Sequence, residues 1–358
     1  MDRYGIATAG NWIVDRVKIV DHYPEEETLA SISAEERGTG GGAYNCIVDL
    51  HQLGASFPLT ALGCVGNDAD GEWIRADLEA RGIDHRGIVT GAAPTSYTDV
   101  MSVAATGRRT FFHCTGANAE FGPEHIPYDS LSARVVHLAY LLLLARLDRP
   151  DAEFGSVGAR VLAELSSTGA ITCLDVVSED SPRVQGIVVP ALAQVDCLII
   201  NELEAGTISG ETTRVKKLTA GADSHHPQPQ VISVLSGQGV KAAARRLLEL
   251  GVRRWVVIHM PEGGYALGRD GQEFFQPSLE LPQDFIAGAA GAGDAFASGI
   301  LYGLHEDWEI SRSLRLAVAT AAASLRHPTT TAGVGPLEET LDLLDRYPTR
   351  QWVQDPFA

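Results

Sequence analysis

The sequence predicts an α/β fold, with a mostly parallel sheet flanked by helices and a small separate sheet beside it. Three observations carry this. Short apolar runs alternate with stretches of helical period along most of the 358 residues, the pattern of parallel strands joined by crossover helices. Residues 16–37 and 95–114 break that alternation with extended, partly polar segments of their own. Two glycine clusters, Gly38 to Gly42 and Gly288 to Gly293, each open directly into a helix-period segment.

Composition narrows the function classes. An apolar fraction of 45% and a charged fraction of 21% describe a chain that can bury a sizeable core. A net charge of −18 argues against nucleic acid or an anionic membrane surface as the main partner. It leaves room for an anionic ligand held by glycine amides and Mg²⁺. Cys46, Cys64, Cys114, Cys173 and Cys197 are odd in number, scattered and without a CxxC pair, which fits a reducing cytoplasm. No basic-then-apolar leader opens the sequence. The longest apolar run, 135–145, holds His137 and Tyr140 and is too short to span a bilayer, so it reads as a buried strand.

In order, residues 4–9 form a first strand, followed by Gly10-Asn11-Trp12-Ile13-Val14-Asp15. Polar residues just past a first buried strand sit where open α/β sheets hold ligands, and an Asx-bonded turn fits them as well. Residues 16–37, with Pro24, read as extended and partly exposed. Ala43, Cys46, Ile47, Leu50 and Leu53 fall at helical spacing after Gly38-Thr39-Gly40-Gly41-Gly42, which places Asn45 in the first turn. Residues 58–65 are a strand, 66–71 a loop and 72–81 a helix. Residues 95–106 and 109–114 read as two strands joined around Gly107, closed by Gly116-Ala117-Asn118.

A strand at 135–144 precedes a helix at 152–165, then strands at 171–177 and 197–200. Asn201 and Glu204 stand at the end of the last of these, one helical turn apart. They fit a polar pair facing one cavity and equally a helix cap with an acidic first turn. Residues 212–238 are polar and irregular, and the adjacent His225 and His226 there read as solvated rather than metal-binding. A helix at 240–250, a strand at 254–260 and a Gly263-Gly264 turn into another strand follow. Helices at 310–326 and 337–346 and a tail from 352 complete the chain.

Gly288-Ala289-Ala290-Gly291-Ala292-Gly293-Asp294 is the most informative stretch, opening a helix over 292–304. Its glycines let backbone approach a ligand closely, and the helix start favours an anion. A carboxylate beside an anion cradle points to phosphoryl transfer. A first-turn dipole partner in a closely packed helix is the plainer reading of Asp294, and this stretch alone does not separate the two.

Taken together these residues resemble the ribokinase-like, or PfkB, carbohydrate kinase family over nearly the whole chain. Gly10 to Asp15 is similar to its sugar-contacting segment, and Gly40-Gly41-Gly42-Ala43-Tyr44-Asn45 to its Gly-Gly-x-x-x-Asn loop. Gly66-Asn67-Asp68 through Gly71 resembles the loop after its next strand, Asn201 to Glu204 its Asn-x-x-Glu motif, and Gly291-Ala292-Gly293-Asp294 its Gly-Ala-Gly-Asp motif. The resemblance implies one doubly wound α/β domain over 1–358, with a β-sheet lid from about 16–37 and 95–114. It implies ATP-dependent phosphorylation of a sugar hydroxyl, with Asp294 as general base and Gly291, Ala292 and Gly293 as anion hole. Asn201 and Glu204 would hold Mg²⁺ through water, and Gly263 and Gly264 would flank the nucleotide. Asn11, Asp15, Gly41, Gly42, Asn45, His113 and Asn118 would line the acceptor side. A homodimer through the lid follows by analogy.

Three departures qualify this. Gly288 stands where the family carries an aspartate that helps bind K⁺, which removes the expected support for a monovalent cation. Pro261, lacking an N–H, replaces a glycine beside the nucleotide phosphates. Gly42 replaces a lysine found in several relatives, which slightly disfavours a phosphorylated acceptor, although Arg108 and Arg109 near the lid could compensate. A sugar or sugar-acid kinase is the leading expectation. A nucleoside kinase is its nearest variant, and a non-catalytic sugar- or nucleotide-binding protein the alternative of another class.

Overall fold

The computed structural model describes residues 3–105, 109–179, 181–218, 231–351 and 357. Its centre is a nine-stranded sheet. From one edge the order runs Glu273–Pro277, Gly263–Gly268, Trp255–Met260, Cys197–Asn201, Ile171–Val176, Val135–Leu141, Ile6–Gly10, Leu59–Val65, Asp84–Thr90. The strands from Trp255–Met260 onward are parallel, and the two at the near edge are antiparallel. Helices cover both faces. Gly42–Gln52, Ala69–Ala80, Ala292–His305 and Ile310–Ser324 pack on one side. Val157–Ser167, Arg183–Leu192, Glu202–Ser209 and Gly237–Glu249 pack on the other.

The apolar strand runs have this cause. Strands covered on both faces bury every side chain, and successive residues of Leu59–Val65 go alternately to the two cores. The chain starts in the middle of the sheet, builds outward through Leu59–Val65, then returns to the other side at Val135–Leu141. That reversal opens a crevice beyond the carboxyl end of Ile6–Gly10.

The separate sheet is present with four strands, in the order Ile32–Gly40, Ile13–Val20, Ser96–Val103, Arg109–Cys114. It is mixed, because Ile13–Val20 runs parallel to Ser96–Val103 and antiparallel to Ile32–Gly40. It begins at Ile13, earlier than the charged segment indicated, and the expected turn at Gly107, with Arg108, lies outside the described residues.

Other boundaries move for identifiable reasons. The expected loop 66–71 is shorter, since Asp68 Oδ1 accepts from Gly71 N at 2.9 Å and starts a helix at Ala69. The helix expected from 152 starts at Val157, where Ser156 accepts from Ala159 N at 3.2 Å. The strand from Val135 stops at Leu141, because Leu142 has a φ of 81°. Residues 212–238 are not wholly irregular, for Arg214–Leu218 pairs antiparallel with Val231–Leu235 and the next helix begins at Gly237. His225 and His226 lie outside the described residues. Of the tail only Phe357 is described, and its ring packs on Tyr265 and Phe275 at 5.2 and 4.2 Å.

Among the described residues, two fully buried ionisable side chains, Asp49 and His137, have no hydrogen-bond partner. His137 is fully buried between Thr8 and Cys173 on neighbouring strands, and neither ring nitrogen has a hydrogen bond. Burial pushes its pKa from 6.5 down to about 3. Between those values the unfolded chain binds a proton that the folded chain refuses, so stability falls as pH drops, by up to about 1.4 kcal/mol per pH unit. His137→Leu is therefore expected to lose less melting temperature than the parent between pH 7 and pH 5. Equal losses would show that this imidazole does not drive the acid sensitivity.

Candidate active site

At the crevice, three segments distant in sequence meet on one carboxylate. Asp294 lies in the first turn of Ala292–His305 and is 6% exposed. Asn45 Nδ2 donates to its Oδ2 at 2.7 Å, and the Tyr140 hydroxyl donates to its Oδ1. Burial pushes the Asp294 pKa above its ordinary value, and these two donors pull it back down. Ser298 Oγ donates to the Asp294 carbonyl at 2.8 Å and so ties off the turn behind it.

The turn ahead of Asp294 needs glycine. Gly291 has a φ of 79°, and a Cβ there would stand 2.6 Å from Thr330 O. Ala292 N reaches Ala289 O at 3.5 Å, and the first bond within the helix runs from Ala295 N to Gly291 O at 2.8 Å. The amides of Gly293 and Asp294 precede that bond and have no helical acceptor. A Cβ on Gly293 would lie 3.0 Å from the His259 ring.

These groups face a cavity of about 330 Å³ that Asp175, Ser178, Asn201 and Glu204 also line. Asn201 caps Glu202–Ser209, accepting from Leu203 N at 2.9 Å and Glu204 N at 2.8 Å, while Glu204 Oε2 accepts from Asn201 N at 2.8 Å. Both sequence readings of this pair hold, because the reciprocal cap points its polar atoms at the cavity. Ser178 Oγ donates to Glu204 Oε1 at 2.7 Å. Burial raises both Glu204 and Asp175, and each is raised further by other carboxylates, Asp175 by Glu204 and Asp294. Neither has a cationic side chain among the described ion pairs. Two buried carboxylates in that condition fit a divalent cation. No cage of three protein ligands exists among the described residues, so waters and phosphate oxygens would complete its shell, as Mg²⁺ prefers.

A second cavity of about 570 Å³ adjoins the first along Gly293 and Ala289, with apolar walls from Leu279, Leu281, Ile286 and Leu325. Gly263 and Pro261 line it, and Arg350 Nη1 donates to Pro261 O at 3.2 Å. Gly264 does not reach it, being buried against Phe296, whose ring would be 2.6 Å from a Cβ. Arg214, from the segment read as irregular, joins Glu202 at 2.6 Å to Glu262 at 2.7 Å and so fixes the Pro261 loop against the Asn201 cap.

A third cleft, of about 630 Å³, lies under the small sheet between Asp15, Val17, Val100 and Phe111 on one side and Gly288, Ala289 and Thr330 on the other. Other residues expected on the acceptor side make bonds within the protein. Asn11 is fully buried, its Oδ1 accepting from Tyr140 N and its own N–H donating to Ala139 O at 2.8 Å. Asn118 accepts from Trp12 N at 3.1 Å. Gly41 has a φ of 89°, with Asn11 O 2.4 Å from where a Cβ would be, and it caps the helix that presents Asn45. His113 sits in the small sheet, 3.1 Å from Thr98 Oγ1, and lines none of these cavities.

Sequence reasoning missed Tyr140, Asp175 and His259 as site groups. Each is the polar residue near the carboxyl end of an apolar strand run, and that position was the available signal.

Comparison with known proteins agrees with this arrangement. The profile of the group described as "pfkB family carbohydrate kinase" matches residues 5–335. The ATP-dependent ribose-1-phosphate kinase of Halopiger xanaduensis is 26% identical over 88% of this chain and 90% of its own. The aminoimidazole riboside kinase of Salmonella typhimurium is 24% identical over 82% of this chain and 80% of its own. Among solved structures, Arabidopsis thaliana ribokinase complexed with ribose and ATP superposes with a TM-score of 0.74 at 21% identity, covering 96% of this chain and 99% of that one.

The left-handed turn at Gly291 yields a direct test. Gly291→Ala is expected to cost about 1–2 kcal/mol of stability from the backbone alone, plus the crowding by Thr330. Thermal unfolding would read this as a clear fall in melting temperature, and an unchanged value would mean the turn does not need its positive φ.

Proposed function

The chain belongs to the pfkB family of carbohydrate kinases and is an ATP-dependent phosphotransferase with an alcohol group as acceptor, and on that premise we propose how its residues divide the work. Asp294 takes the proton of the acceptor hydroxyl as that oxygen attacks the γ-phosphorus of ATP. The bond from phosphorus to the bridging oxygen breaks, and ADP leaves with that oxygen. The observation that carries this reading is the Asp294 carboxylate, buried beside unpaired helix-start amides and oriented from both sides by Asn45 and Tyr140. The amides around Gly291, Ala292 and Gly293 would stabilise charge on the transferred group as an anion hole.

Asn201 and Glu204 would hold Mg²⁺ through water, with Asp175 beside them. An ion held there would supply positive charge against the phosphates. The apolar cavity of Leu279, Ile286 and Leu325 suits the adenine ring, and Gly263 with Arg350 brings donors to a loop that Pro261 leaves without an N–H. The acceptor would enter from the small-sheet cleft, with Asp15 on its path. Its class is a small carbohydrate or a nucleoside. The small sheet would act as the lid that excludes water. Its exposed Ile32 and Phe112 favour a homodimer through that sheet. The described cysteines are all unpaired thiols, which supports a cytoplasmic setting, and no helix among the described residues is long and apolar enough to cross a membrane.

Asp294→Asn should lower turnover on the order of 10²–10⁴-fold and leave ATP binding largely intact. Release of ADP from Mg-ATP across sugars, sugar acids and nucleosides checks this, and a mutant that turns over like the parent would remove Asp294 as the base. Potassium should stimulate the reaction little, since Gly288 offers no carboxylate and packs against Pro328. A large rate advantage of K⁺ over Na⁺ would overturn that expectation.

A further inference from the structure

We infer that Tyr140 is a positioning residue for the transfer step, its hydroxyl fixing Oδ1 of Asp294, and that position 42 is glycine because the Tyr140 ring fills the space of a side chain there. The inference rests on Asp294 being the base.

A carboxylate that is to accept a proton from a substrate must present a lone pair in one direction, and a lone Asp side chain can rotate away. Asn45 restrains only Oδ2. Tyr140 restrains the other oxygen from across the crevice, so the carboxylate plane is fixed by donors on two different elements and each oxygen keeps a lone pair for the acceptor. The phenol is itself held. Its backbone N–H donates to Asn11 Oδ1, and Asn11 N bonds the preceding carbonyl of Ala139 at 2.8 Å. Burial and the Asp294 charge keep the phenol well above its ordinary pKa, so it stays a donor and the acceptor's proton remains on Asp294.

The ring position excludes a side chain opposite. An ideal Cβ on Gly42 would lie 2.7 Å from both Cε1 and Cζ of Tyr140 and 2.8 Å from Ala139 Cβ. Gly42 has no left-handed φ, so the demand is for space, not conformation. The same helix carries Asn45 three residues on. Gly42 thus lets the Asn45 helix and the Tyr140 strand end approach closely enough for both donors to reach one carboxylate.

Two sets of variants test this, with Mg-ATP and whichever of ribose, fructose and adenosine turns over fastest. Tyr140→Phe keeps the ring and should lower kcat roughly 10- to 100-fold while the KM values for ATP and acceptor move little. Gly42→Ala should lower kcat by displacing the ring, and adding Tyr140→Phe to it should then change kcat hardly at all. Parental kcat in Tyr140→Phe, a loss confined to KM, or the same fold-loss in both backgrounds would each overturn the inference. Independently of any acceptor, Tyr140→Phe should lower the melting temperature of the parent more than that of Asp294→Ala, and equal shifts would mean that the two side chains are not coupled. Full turnover in Asp294→Asn would sink the base assignment itself, whereas a dead Asp294→Asn beside an unaffected Tyr140→Phe sinks only the role of Tyr140.

Discussion

Everything around the crevice depends on burying one carboxylate without pairing it to a cation. Asp294 could be neutralised cheaply by a lysine or arginine, but a paired carboxylate is a weak base. The fold instead supplies neutral donors, an amide from Asn45 and a phenol from Tyr140, and the helix start that carries Asp294 adds its own dipole. Those donors hold the charge in place while leaving it basic. The glycines follow from the same need, because helix, strand end and turn must all come within reach of one side chain. Gly41, Gly42, Gly291 and Gly293 lie where backbone or a ring stands too close for a Cβ.

The acidic groups nearby obey a second constraint. Asp175, Glu204 and Asp294 are all buried and all raised by burial, and the Asp294 charge raises Asp175 and Glu204 further. Under the proposed function, a nucleotide arriving with Mg²⁺ would offset the repulsion among these carboxylates. On that proposal, charge balance would favour loading metal and phosphate together, since phosphate alone would add negative charge to negative charge.

Much of this was legible in the sequence. Glycine clusters before helical periods placed Asn45 and Asp294 correctly, because a turn that needs glycine leaves a mark that survives without coordinates. Alternation of apolar runs and helices was enough for the central sheet, and Asn201 with Glu204 for the capped helix start. What stayed hidden has a common cause. Tyr140, Asp175 and His259 belong to strands covered on both faces, and there a site residue and a core residue look alike until the strand order is known. The resemblance placed Asn11 and Asn118 on the acceptor side, and the structure adds what the sequence could not show, that their side chains also bond backbone at Tyr140 and Trp12. Arg214 could not be found at all, since its value depends on a hairpin whose pairing spans residues with no periodic signal.

The distances along the chain have a consequence for synthesis. The bond from Asn45 to Asp294 joins residues 249 apart, and Gly5 N donates to His305 Nε2 at 2.9 Å across 300 positions. The first strand, in the middle of the sheet, must wait for helices made last, with its neighbours Val135–Leu141 and Leu59–Val65 arriving at different times. Contacts of such separation close slowly and late. While the chain is being made, the sheet face that Ala292–His305 covers stays bare until that helix is available, which exposes it to aggregation. Asn45 and Asp294 come together only when the Ala292–His305 helix docks.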